Sequence, residues 1–139
     1  MKLNLRLRSI ILAMLALWSP VLLAAGEPQD PLAAAEPGVR GLLQRYSAAL
    51  ESLDANAVKK VQPAIPTDNL TKAFKEMREL RVMIDTVRVL SADGTRARVS
   101  CRVTQTLTPR IGTKQTTTVT RVMRLRRDAD SWVIDGFER

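Results

Sequence analysis

Few side chains in this sequence can do chemistry. Its 139 residues include one tyrosine, one cysteine and no histidine. Tyr46 lies in "LLQRYSAALESLD", residues 42 to 54, and offers a phenolic hydroxyl. The lack of histidine removes the commonest general base and the commonest metal ligand. Cys101 alone can form neither an internal disulfide nor a thiol cluster for zinc. In "ARVSCRVTQTL" it alternates with Ala97, Val99, Val103 and Leu107, which predicts a buried small hydrophobe rather than a reactive thiol. No metal and no cofactor is expected.

One arginine stands apart. Alternation in "QTTTVTRVMRLRR" puts Arg121 on a face with Val119, Met123 and Leu125, and a guanidinium among apolar neighbours needs a partner. Gln105 points the same way as Cys101, and Asp85 shares a face with Met83, Val87 and Val89. Tyr46, Gln105, Arg121 and Asp85 thus make a candidate pocket for a small anionic ligand, such as a carboxylate. The competing reading pairs Arg121 with Asp85, or lets it snorkel to the rim.

The opposite face carries Arg96, Arg98 and Arg102 on one strand and Arg124 and Arg126 on the next. A hairpin closing symmetrically about Ile111 sets Cys101 opposite Arg121, Arg98 opposite Arg124 and Arg96 opposite Arg126. Like charges so placed repel. They suit either a docking surface for anionic membrane lipid, a polyanion or an acidic partner protein, or a plain solvated face with splayed arginines. Thr104, Thr106, Thr116, Thr118 and Thr120 continue that face. Nucleic acid is not expected there, because no aromatic side chains are interleaved for stacking.

These residues need elements to hold them. "MKLNLRLR" followed by an apolar run ending in small residues predicts a signal peptide over residues 1–25, with an uncleaved anchor as the alternative. That implies export to the periplasm or the extracellular space. Lys and Arg number 22 against 14 Asp and Glu; losing Lys2, Arg6 and Arg8 with the signal leaves a net charge of +5. Residues 26–37, with three prolines, read as a flexible linker before a domain over 38–139. Val39, Leu42, Leu43, Tyr46, Ala49, Leu50 and Leu53 keep helical spacing. Asp54 then caps a short second helix, and Thr67 or Asp68 caps a third containing Leu70, Phe74 and Met77. From Leu80 the period becomes two, giving four strands joined by "SADGT", "TPRIGTK" and "DADS". Three helices followed by an antiparallel meander mean an α+β domain.

"VRGLLQRYSAALESLDANAVKKV" and "SWVIDGFE" resemble the opening helices and closing strand of the nuclear transport factor 2-like superfamily, which includes SnoaL-like proteins and ketosteroid isomerases. The resemblance implies a curved four-stranded sheet wrapped as a cone-shaped, cystatin-like roll around the helices, and pairing of two copies through the sheet as a homodimer. In the isomerase branch a first-helix tyrosine donates to the developing enolate, a place that Tyr46 fits. The second donor, an acid, is matched by Arg121, and "QPAIPTDNL" offers no strand for the general-base aspartate. Two catalytic groups are unmatched. The expectation is therefore a non-catalytic envelope binding or interaction module. The alternative is an isomerase or cyclase with Tyr46 as oxyanion donor and Asp68 or Asp85 as base.

Overall fold

Helix α1, Pro31–Glu51, organises the molecule. A computed structural model describes residues 30–139, so the expected signal peptide lies outside the described residues. Asp30 caps α1, accepting from the Leu32 N–H at 3.0 Å, and Pro31 begins it where no intrahelical donor is needed. Residues 31–37 are therefore helix, not linker; Pro37 sits within the helix and Ala35 is already in the core. The buried stripe runs Ala35, Val39, Leu42, Leu43, Tyr46, Ala49 and Leu50. Leu53 ends the run with φ 54°, a left-handed turn that reverses the chain. Asp54 then caps α2, Ala55–Val61, accepting from the Asn56 N–H at 2.9 Å as its sequence position predicts. Helix α3, Thr67–Lys75, starts after Pro66 without a side-chain cap, so neither Thr67 nor Asp68 plays that part. Met77 leaves the helix and opens the first strand.

Four antiparallel strands follow in spatial order β1 (Met77–Ala92), β2 (Arg96–Pro109), β3 (Gln115–Asp128) and β4 (Ser131–Phe137). The β2–β3 register sets Cys101 against Arg121, Arg98 against Arg124 and Arg96 against Arg126, as symmetric closure about Ile111 requires. The expected cone-shaped roll is not formed. The sheet is open rather than curled or closed, and β1 and β4 remain its edges. The segment before α3 adds no strand, and seven-residue β4 pairs only with residues 123–128 of β3.

Polar side chains of α1 reach both edges. Glu51 accepts from the Val82 N–H on β1 at 2.8 Å, and Arg45 donates to the Trp132 carbonyl on β4 at 3.3 Å. Each takes up an edge group that would otherwise template another strand. Beside Arg45, Gly38 allows the helix to approach β4 closely: a Cβ there would lie 2.6 Å from the Trp132 ring. The core between α1 and the sheet holds Leu42, Val39, Val99, Cys101, Met123, Leu125 and Ile134, all essentially inaccessible.

Candidate functional site

A bulge in β1 decides which residues face the helix. Pairing slips between Asp85 and Arg88, where Thr86 takes φ 51°, a costly conformation for a β-branched residue. Before the slip Leu80, Val82 and Ile84 point inward; after it Val87 and Val89 pack against the core. Asp85 is thereby turned to the outer face. Its two oxygens accept from Arg102 at 2.7 and 3.0 Å, which holds the carboxyl below its ordinary range. The expected place of Asp85 beside Arg121 is corrected accordingly.

Tyr46, Cys101 and Arg121 do come together. Tyr46 descends from α1 onto the inner face with its ring buried at 8% exposure. Burial pushes its hydroxyl above the ordinary tyrosine value, while the Arg121 charge pulls it partly back. Cys101 lies beneath, wholly buried, its thiol likewise pushed up by burial and drawn down by Arg121. Arg121 stands at the open side of this group, with its guanidinium 5.5 Å from the centre of the Phe137 ring. Among the described residues no carboxylate pairs with Arg121, and the buried polar side-chain atom left without a partner is Gln62 Oε1 rather than the Tyr46 hydroxyl.

Beyond Tyr46 the inner face runs out from under the helix. Val119 and Gln105 are half-buried there and Thr117 is exposed, so the site is an open shelf rather than an enclosed cavity. Gln105 faces the shelf, but four residues along β2 put it roughly 13 Å from Cys101. The larger cavities lie elsewhere. One of about 460 Å³ sits between α2, α3 and the start of β1, and another of about 360 Å³ opens on the outer face. Asp68, in the first turn of α3, is exposed to solvent.

The outer arginines are far less free than their sequence suggests. Arg98 grips both oxygens of Glu138, the longer contact being 2.8 Å. Arg102 holds Asp85, and Arg126 lies 3.4 Å from Asp135. The threonines pair across strands, Thr104 with Thr118 at 3.1 Å and Thr106 with Thr116 at 3.2 Å. Sequence reasoning missed the acidic partners because two bulges set them: the slip in β1 turns Asp85 outward, and the one between Arg124 and Leu125 sets how β4 brings Asp135 and Glu138 to β3.

No protein-family model matches the sequence, and a search of curated proteins finds no match. Solved structures do match. The "putative aromatic ring hydroxylase" of Novosphingobium aromaticivorans superposes with a TM-score of 0.65 at 14% identity, over 76% of this chain and 87% of that one. The "putative scytalone dehydratase" of the same organism gives 0.66 at 10% identity, over 76% and 83%. A "putative dehydratase from the NTF2-like family" of Streptomyces avermitilis gives 0.64 at 14% identity, over 76% and 95%. The chain has the nuclear transport factor 2-like, SnoaL-like fold. The expectation of a non-catalytic binding or interaction module, and with it the leaning against an enzyme, is corrected by these neighbours. Proteins sharing the fold carry enzyme names, a hydroxylase and dehydratases among them.

Proposed function

We propose that the protein is a small-molecule enzyme of isomerase, cyclase or dehydratase type, with Tyr46 as the donor to a developing oxyanion. One observation carries the reading: the sole tyrosine is buried against the sheet, beside an arginine that pairs with no carboxylate among the described residues. A hydroxyl whose pKa is raised by burial stays protonated and therefore donates rather than abstracts. Its suited task is to receive the charge on a carbonyl oxygen as a neighbouring C–H bond breaks. The electron pair of that bond moves into the enolate, and water at the open shelf takes the proton. Arg121, stacked on Phe137, adds positive charge next to the oxyanion and attracts a substrate bearing a carboxylate. The enzyme names borne by proteins of this fold support the reading.

Exchange at carbon tests this whatever the product turns out to be. A panel of small ketones and 2-oxo acids is incubated with the protein in D₂O, and loss of the α-proton signal is followed by NMR. The wild type should accelerate exchange for at least one member, and Tyr46→Phe should slow that reaction about 10²-fold or more. Exchange at the buffer rate across the panel, or a Tyr46→Phe variant as fast as the wild type, overturns the proposal.

A further inference from the structure

The outer face contains a second site, unrelated to the Tyr46 shelf. Ser91, Arg98, Arg124 and Gly136 form one row across all four strands, each directly opposite the next. Arg96 and Arg126 face each other in the same part of the sheet. Four guanidiniums therefore crowd one patch, and two carboxylates serve them. Glu138 is taken by Arg98, and Asp135 is shared between Arg126 at 3.4 Å and Arg96 at 4.0 Å. Asp93 adds a third negative charge beside Arg96 at the rim. Its Oδ1 already accepts from the Thr95 N–H, the Thr95 hydroxyl and the Arg96 N–H at 2.7 to 2.9 Å, closing the β1–β2 turn.

One positive charge is left over, and the arginines border a cavity. About 360 Å³ opens among Ser91, Asp93, Arg96, Arg98, Arg124 and Asp135. Arg124, which holds no carboxylate of its own among the described residues, lies flat on the β4 backbone at Gly136. A Cβ at position 136 would stand 2.6 Å from its Nη2, so this posture needs glycine. The guanidinium lies against the strand without a direct ion pair, its charge felt by Glu138 nearby. Directly opposed like charges are unfavourable, and a dianion between them relieves that repulsion while accepting several charge-assisted hydrogen bonds.

We propose that this cavity binds a small phosphate monoester, with the phosphoryl oxygens on Arg124 and Arg96 and the organic group in the remaining space. A volume of this size exceeds what an ion alone fills and falls at the small end of ordinary ligand sites. The test is calorimetric titration of the full chain with phenyl phosphate, inorganic phosphate and succinate at low salt. Phenyl phosphate should bind saturably and more tightly than either of the others. Arg124→Gln should weaken it at least tenfold, and Gly136→Ala, which displaces the guanidinium, should do likewise. Arg102→Gln, on the same face but away from the cavity, should leave binding unchanged, and melting curves confirm that each variant is folded. Equal affinity for succinate, an Arg124→Gln variant that binds like the wild type, or an equal loss in Arg102→Gln overturns the proposal. Protein retained by vesicles of acidic lipid, with no phenyl phosphate bound in free solution, also overturns it.

Discussion

Arg102 and Arg121 come from adjacent strands and adjacent register rows, yet meet opposite fates. Arg102, on the outer face, is clamped by both oxygens of Asp85. Arg121, opposite Cys101 on the inner face, has an aromatic ring beneath it and pairs with no carboxylate among the described residues. Along the rest of the outer face Asp85, Asp135 and Glu138 pair with Arg102, Arg126 and Arg98, and Arg124 is the arginine left without an ion pair among the described residues. On the inner face Arg121 pairs with no carboxylate among the described residues and stands next to the single tyrosine, while Arg127, farther along the same strand, lies 5.3 Å from the centre of the Trp132 ring. A count of basic residues therefore says little about where free positive charge lies. Pairing geometry decides it, and in this sheet the pairing is set by bulges.

Substitutions can break the contrast between the faces, beginning with the largest effect. Leu42→Ala removes a fully buried side chain from the helix that shapes the inner face, and should cost about 2–5 kcal/mol in denaturant unfolding. Tyr46→Phe comes next; the variant should melt near the wild type while α-proton exchange falls about 10²-fold. Arg121→Gln should raise KM for 2-oxo acids about tenfold and leave neutral ketones almost untouched. The matching outer change, Arg102→Gln, should alter neither kinetic quantity. If Arg102→Gln affects substrates as strongly as Arg121→Gln does, the distinction between the faces is lost.

Acid provides a subtler comparison. Asp85, Asp93 and Glu138 have folded-state pKa values depressed by Arg102, by the turn amides and by Arg98 respectively. Their contribution to stability is present above the unfolded carboxyl values of about 4 and lost as pH falls through the lower folded ones. Unfolding midpoints should therefore drop below about pH 4, and Asp85→Asn should flatten that drop. Tyr46 works in the opposite direction. Its raised pKa means that stability holds below about pH 10 and declines as the unfolded chain ionises first. Because Tyr46 is the only tyrosine, absorbance at alkaline pH reports it without overlap from another phenol.

Much of the fold is legible in the sequence because periodicity is a local property. The helical stripe through Tyr46, the Asp54 cap, the Asp93–Gly94 turn and the β2–β3 register all follow from spacing and turn chemistry. Where the chain departs from regularity, spacing misleads. Unbroken alternation assigns Asp85 inward, and the bulge at Thr86 reverses it; the out-of-phase apolar sets before and after Thr86 are the available signal. Asp30–Pro31 carries a helix-start signature that the later Pro37 obscures. The closure of the sheet is unreadable, since it depends on how far β4 extends along β3. At the site, Tyr46 and Arg121 are identified by type and face. Gln105 falls on the right face but too far along its strand, and the carboxylates that meet the outer arginines require the bulges of β1 and of the β3–β4 pairing.

The central claim is that the Tyr46 hydroxyl, with Arg121 beside it, stabilises an oxyanion on the inner face. Binding of 4-nitrophenol, whose phenolate absorbs in the visible, measures that stabilisation directly. The wild-type protein should raise phenolate absorbance at a pH where the free ligand is mostly neutral, and Tyr46→Phe should abolish the increase in a folded protein. An unchanged spectrum with the wild type, or the same increase with Tyr46→Phe, contradicts the account.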